Sequence, residues 1–223
     1  MKFPVLCVDN FYKNPEKIRN FALSLDYKKD LSINPGLRTE HLYNIDIHFF
    51  NKFCEKLFSL FYNYDVERCD WKVETKFQKT FRKSNDPNSI LNMGWNHLDN
   101  NVVFAGVIYL NQNPYPNSGT TISKLNGDRK IFDYAPRDEF YSSDNYSKLK
   151  DYELNLLNHD KNFEDSIIIK NKFNRMICYD SNYWHKESNF FSDFNDPRLT
   201  QVFFVHDLKV SSYPIERSNL YNL

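Results

Sequence analysis

The chain has 223 residues, with 29 basic side chains balanced by 29 acidic ones. It is long enough to bury a core without metal or disulfide staples and suits a single domain over 1–223. Zero net charge supplies no global positive field to gather nucleic acid or an anionic membrane surface. The opening MKFPVLCVDNF lacks an apolar leader core, and no stretch approaches the roughly 20 apolar residues of a membrane span, so a soluble, cytoplasmic protein is expected. Cys7, Cys54, Cys69 and Cys178 are scattered without a C-x-x-C pair, which fits reduced thiols rather than a zinc site. Aromatic residues make up 17% against only five glycines, a balance that favours a sheet-rich core. No G-x-G-x-x-G, G-x-x-x-x-G-K-[ST] or G-x-S-x-G motif occurs, which removes the usual signatures of dinucleotide enzymes, P-loop NTPases and serine hydrolases.

In chain order, Pro4 to Val8 is expected as a short strand. A helix follows from Asn14-Pro15-Glu16, with Asn14 as cap and Ile18, Phe21, Ala22 and Leu25 on one face. Asn34-Pro35-Gly36 marks a turn, and Phe50, Phe53, Leu57, Leu60 and Phe61 recur at helical spacing across Phe49 to Phe61. Residues up to about 65 thus form a helical lead-in. From Trp71 the period becomes two, with Val73, Thr75 and Phe77 alternating with Lys72, Glu74 and Lys76. A strand at Trp95 to Asp99 precedes Val102 to Leu110, an apolar run rich in β-branched residues that reads as a buried strand. Thr120 to Ser123 suggests another short strand. The stretch from about 124 to 170 is polar and irregular, with a helix at Lys148 to Leu157, and reads as an insertion over one end of the sheet. Strands return at Phe173 to Tyr179 and Leu199 to Val205. Helical cover followed by many strands gives an α+β fold, with a jelly roll the natural closed solution for the β part and helices packed on one side.

His97-Leu98-Asp99 carries the chemistry. Residues i and i+2 of a strand project to the same face, so an imidazole and a carboxylate can converge on one ion. His185, late in the chain, supplies a third ligand from a returning strand. Two histidines and a carboxylate on one side of a metal leave the other side open for a chelating cosubstrate and dioxygen, the arrangement of non-haem iron(II) oxygenases. Against this, an H-x-D triplet is common, and Asp46-Ile47-His48 shows a similar pair with no evident role. Arg198 offers a planar fork to a carboxylate, and Thr200, two residues on, shares its face. The plainer reading of Arg198 is a surface ion pair, and of Tyr109 a core aromatic.

The ordered set His97-x-Asp99, Phe104 to Asn111, Gly119-Thr120, Asn174 to Tyr179, His185 and Arg198-Leu199-Thr200 resembles the 2-oxoglutarate/iron(II) dioxygenase superfamily, in particular its prolyl-4-hydroxylase-like branch. Asp9 to Tyr12, Asn14-Pro15, Arg19, Ala22-Leu23 and Pro35 to Arg38 resemble an uncharacterised bacterial and phage group assigned to it. The resemblance implies a double-stranded β-helix, with His97, Asp99 and His185 holding iron(II). Arg198 and Thr200 would bind the distal carboxylate of 2-oxoglutarate, with Tyr109 as a further contact. It implies hydroxylation of a small molecule or protein side chain by dioxygen, with release of succinate and carbon dioxide. Halogenating relatives lack the carboxylate that Asp99 provides. The single Gly119 and the long interval between His185 and Arg198 depart from the pattern. A cupin-like metal enzyme without 2-oxoglutarate and a non-catalytic jelly-roll binding module remain open at this stage, and the substrate and the role of Arg38 are not readable.

Overall fold

The computed structural model describes residues 1–29, 34–128, 131–142, 149–193 and 195–220. In chain order the elements are β1 (Leu6–Val8), α1 (Pro15–Leu23), β2 (Leu37–Arg38), α2 (Leu42–Ile45), α3 (Ile47–Phe58), β3 (Asp70–Thr80), β4 (Phe104–Tyr109), β5 (Gly119–Leu125), α4 (Ala135–Ser142), α5 (Leu149–Asp160), β6 (Phe163–Lys170), β7 (Met176–Asp180), β8 (Trp184–Glu187), β9 (Arg198–Lys209) and α6 (Pro214–Ser218). The fold is mixed α/β. A six-stranded sheet in the order β1-β7-β4-β9-β3-β2 faces a three-stranded sheet in the order β6-β5-β8, and every pairing is antiparallel.

The period-two pattern decides which residues go where. In the large sheet, Val73 and Phe77 of β3, Phe104 and Ile108 of β4, Met176 and Cys178 of β7, and Phe203 and Val205 of β9 project to one side. There they join Ala22 of α1 and Phe50, Phe53, Leu57 and Phe58 of α3 in the main core. The aromatic excess is spent here on edge-to-face contacts such as Phe53 with Phe203 at 5.5 Å and Phe58 with Phe104 at 6.2 Å, which add to simple burial. Ala105, Tyr109, Ile177 and Tyr179 project the other way and pack with Ile122 and Ile169 of the small sheet. The space between the two sheets is therefore only partly apolar.

Several expected boundaries shift. Asn14 occupies the cap position of α1 but makes no side-chain capping bond; Pro15 opens the helix. The second helix runs from Ile47, capped by Asp46 accepting from the Phe49 N–H at 2.9 Å, and stops at Phe58. Residues 95–99 are not a strand: only His97 forms a bridge, to His185. The stretch 124–170 is more regular than its composition suggests, holding the end of β5, α4, α5 and the whole of β6. Six of the eight β6 residues are exposed, so burial never imposed an apolar alternation on its sequence. The beginning of the helix expected at 148–157 lies outside the described residues, and the helix continues to Asp160. All four cysteines are free. Among the described residues no helix is long and apolar enough to cross a membrane.

Asp180 at the end of β7 ties the beginning of the chain to the core. Its buried carboxylate accepts from the backbone N–H groups of Lys2 at 2.5 Å, Phe3 at 3.1 Å and Asn182 at 3.0 Å, and from Asn182 Nδ2 at 2.8 Å. Burial pushes its pKa up, but these donors outweigh burial and hold it below the usual carboxylate range. A depressed folded-state pKa means that the stability it contributes is present above its unfolded pKa of about 4 and is lost as pH falls through the lower folded value. Asp180→Ala is expected to lower unfolding free energy at neutral pH by about 3 kcal/mol in urea titration. It should also flatten the fall in stability below pH ~4; an unchanged acid limb would show that Asp180 is not the group responsible.

Candidate metal centre

The strand partner of the His97 segment is β8. The His97 N–H donates to the His185 carbonyl at 2.9 Å, and the His185 N–H returns a bond to the His97 carbonyl at 3.1 Å. Gly94 lies further along the same contact, its N–H donating to the Glu187 carbonyl at 2.9 Å. A Cβ at Gly94 would stand 2.8 Å from the Glu187 backbone nitrogen, so close approach of the two segments requires glycine there. Pairing does not extend from this bridge into a ladder, and side chains meet the neighbouring carbonyls. That of Trp95 accepts from His97 Nδ1 at 2.8 Å, and that of Asn96 accepts from Tyr134 Oη at 2.9 Å and His159 Nε2 at 2.8 Å.

His97, Asp99 and His185 converge as the i, i+2 spacing implied, their ligand atoms all within 4.8 Å of one another. His185 Nε2 lies 3.4 Å from Asp99 Oδ2, and His97 Nε2 lies 3.9 Å from Asp99 Oδ1. The tautomers follow from the geometry. Each Nδ1 sits against a carbonyl oxygen two residues back, Trp95 for His97 and Tyr183 at 3.0 Å for His185. A carbonyl only accepts, so each Nδ1 carries the hydrogen, and each Nε2 is the ring nitrogen turned toward Asp99. Burial, and then the neighbouring His97, lower the His185 pKa to about 4 despite Asp99; the imidazole is neutral at pH 7, the form that ligates a metal. Tyr179 packs its ring 4.4 Å from that of His185. The donor set, two neutral imidazoles and a carboxylate, suits a divalent first-row cation.

Arg198 opens β9 and lines the same pocket of about 250 Å³ as the three residues. It is 3% exposed, and among the described residues its Nε and Nη2 have no hydrogen-bond partner. Its guanidinium lies over the Tyr109 ring, 5.6 Å from the centroid. Thr200, directly across from Tyr109 in the β4–β9 ladder, also keeps an unpartnered hydroxyl at 0% exposure. Thr200 and Tyr109 sit behind the pocket wall rather than on it. Tyr109 is a core aromatic, its hydroxyl bonded to Thr120 Oγ1 at 2.7 Å and its pKa pushed up to about 12, chiefly by burial. A buried cation with idle N–H groups costs several kcal/mol unless an anion meets it. At 3% exposure Arg198 is not a surface ion pair.

Sequence patterns missed the group that ties these segments together. Asp160, at the end of α5, accepts through the same oxygen from Asn96 Nδ2 at 3.0 Å and from Lys186 Nζ at 2.6 Å. Asn96 precedes His97 and Lys186 follows His185, so one carboxylate grips both ligand-bearing segments. Its partners are 64 and 26 residues away in sequence, beyond any local signal. Arg137, Tyr141 and Glu187 also line the pocket without having been singled out.

The fold is similar to that of solved structures of low sequence similarity. The epimerase SnoN, in complex with Fe3+, α-ketoglutarate and nogalamycin RO, is similar with a TM-score of 0.52 and 10% identity, covering 100% of this chain and 86% of that one. HygX from Streptomyces hygroscopicus, with nickel and 2-oxoglutarate bound, gives 0.50 and 12%, covering 91% and 83%. Residues 1–205 match the model of a family of unknown function, DUF6445, and the chain belongs to that family. No curated protein matches it.

Two outcomes test the site before any ligand is added. Arg198→Met should stabilise the ligand-free chain to urea by about 1–3 kcal/mol, because it replaces an unpaired buried cation with an apolar side chain; a loss of stability would mean that Arg198 is structural. Asp160→Ala should cost about 3 kcal/mol by leaving Lys186, whose side chain is 8% exposed, with the longer ion pair to Asp165 at 3.5 Å. It should also speed amide exchange at His97 and His185, and unchanged protection there would sever Asp160 from the metal centre.

Proposed function

We propose that this chain is an iron(II)- and 2-oxoglutarate-dependent oxygenase on a double-stranded β-helix, akin to the prolyl-4-hydroxylase-like branch, acting in the cytoplasm on a substrate other than nucleic acid. The observation that carries the reading is the unpartnered Arg198 guanidinium in the pocket of the His-Asp-His group. A metal alone gives such an arginine nothing to do, whereas a dicarboxylate chelating the metal brings a second carboxylate to it. This favours the oxygenase over a cupin-like enzyme without 2-oxoglutarate, and over a silent binding module, which would need neither idle donors nor two histidine Nε2 atoms turned onto one carboxylate. The cofactors present in the SnoN and HygX structures support the same choice.

His97, Asp99 and His185 would hold the iron, and Arg198 with Thr200 the far carboxylate of 2-oxoglutarate. The bound pair would supply, with dioxygen as the oxidant, the chemistry to hydroxylate an unactivated C–H bond, one oxygen atom leaving in succinate alongside carbon dioxide and the other entering the substrate. The protein's part is to orient and to exclude. The Trp95 and Tyr183 carbonyls fix the imidazole rings, Asp99 completes a three-ligand face, and buried Trp95 and Tyr179 keep water from the reacting centre. The presence of Asp99 supports hydroxylation rather than halogenation.

The deciding experiment is anaerobic titration of metal-free protein with iron(II) and 2-oxoglutarate, following the weak visible charge-transfer band of the chelate. Wild type should give the band, His97→Ala none, and Arg198→Met a band only at 2-oxoglutarate concentrations about a hundredfold higher. Iron binding without a band would move the cupin-like reading ahead, and absence of metal binding would end both.

A further inference from the structure

The charged side chains that line the pocket of the His-Asp-His group are Arg38, Arg137, Lys186 and Arg198 on one side of the balance and Asp99 and Glu187 on the other. Three of the cations are engaged within the protein. Lys186 is paired with Asp160 at 2.6 Å and Arg137 with Asp138 at 2.8 Å, while Arg38 donates Nε to Gln78 Oε1 at 2.6 Å and has a further partner besides. In the oxygenase reading Arg198 takes the cosubstrate and Asp99 the metal. Glu187 is what remains: among the described residues no hydrogen bond or ion pair reaches its carboxylate, not even from Arg198 in the same pocket.

The position of Glu187 follows from strand geometry. It closes β8 two places after His185, so the two side chains share a face of the strand, and its cross-strand partner Thr120 lines the same pocket. Gly94 leaves room for it, since a Cβ there would strike the Glu187 carboxylate as well as the Glu187 backbone nitrogen. Trp95, Tyr141 and Tyr179, all nearly inaccessible, supply aromatic walls to the pocket. Burial comes first in raising the pKa values of Tyr109, Tyr141, Tyr152 and Tyr179, and the Glu187 charge adds to the rise at each. One carboxylate thus sets a negative potential along this part of the pocket. A carboxylate without a donor in partly dry surroundings is costly, and the same low dielectric strengthens its hold on an arriving cation. Aromatic walls accept alkyl carbon and favour positive charge over negative.

Resting on the oxygenase reading, we infer that the substrate carries a protonated amine, whose N–H groups are received by Glu187 while a C–H bond of the same molecule faces the His97, Asp99 and His185 group. A pocket of about 250 Å³ shared with 2-oxoglutarate admits the amine and its neighbouring carbons, and a larger substrate extends out of the mouth. Glu187 is then a specificity-determining residue: with Arg198 occupied, an anionic head group would meet its carboxylate unopposed, and a neutral one would gain less from it.

The test uses full-length protein with manganese(II) in place of iron and saturating 2-oxoglutarate, which keeps Arg198 occupied. Butylammonium, butan-1-ol and butyrate, similar in size and different in charge, serve as probes, and paramagnetic relaxation of their protons reports binding near the metal. Butylammonium should show saturable enhancement at about tenfold lower concentration than butan-1-ol, and butyrate should show none. Glu187→Gln, which keeps the shape and removes the charge, should still bind manganese and 2-oxoglutarate and should erase the preference for butylammonium. Water-proton relaxation reads the manganese and its loss of bound water to 2-oxoglutarate, and so separates the two levels. If manganese or 2-oxoglutarate fails to bind the wild-type chain, the oxygenase reading and this inference fall together. If both bind but butylammonium does not saturate below butan-1-ol, or butyrate binds best, or Glu187→Gln keeps the preference, the amine inference alone is overturned.

Discussion

The reciprocal backbone bonds between His97 and His185 are the constraint on which the centre depends. Without them the first two ligand positions belong to an irregular segment and the third to a four-residue strand, neither able to aim a side chain alone. With them, both histidines lie on one bridge and their rings stand 4.3 Å apart between centroids, and Asp99 follows from its spacing. Everything adjacent serves that join: Gly94 removes the Cβ that would block it, and the displaced carbonyls are satisfied by imidazole and phenol donors rather than left bare.

The two sheet faces divide the energetic labour. The outer face of the large sheet, with α1 and α3, buries a dense aromatic cluster, and apolar burial of that kind dominates folding free energy. The inner face can then carry Arg198, Thr200 and Gln78, all nearly inaccessible, although such groups would destabilise a smaller core. Idle donors in a buried wall are tolerable only in a molecule stable enough to bear them, and their retention here agrees with the general conflict between stability and a prepared site.

Much of this was readable in the sequence because it rests on period two. The alternation from Trp71 to Phe77 and the Arg198-x-Thr200 spacing depend only on which way neighbouring strand side chains point, and both lie within strands, although Thr200 stops behind the pocket wall that Arg198 reaches; His97 and Asp99 converge without a strand between them. The failures are equally physical. Residues 95–99 carry the right side chains for a strand, but only His97 pairs, and the Trp95 and Asn96 carbonyls bond side chains, those of His97 itself and of Tyr134 and His159 from a distant segment. β6 lies at a sheet edge with most residues exposed, so its composition resembles a loop. Tyr109 is fully buried in the core, and the same burial places its ring under Arg198.

The bond from Asp160 to both Asn96 and Lys186 changes what the 124–170 stretch is. A segment that brings Arg137 to the pocket while its last helical residue clasps both ligand-bearing segments is not a module that can be traded between relatives to swap selectivity. Grafting a foreign version would remove the clasp along with the guanidinium, so chimaeras of this kind must carry positions 96, 160 and 186 as one inherited unit.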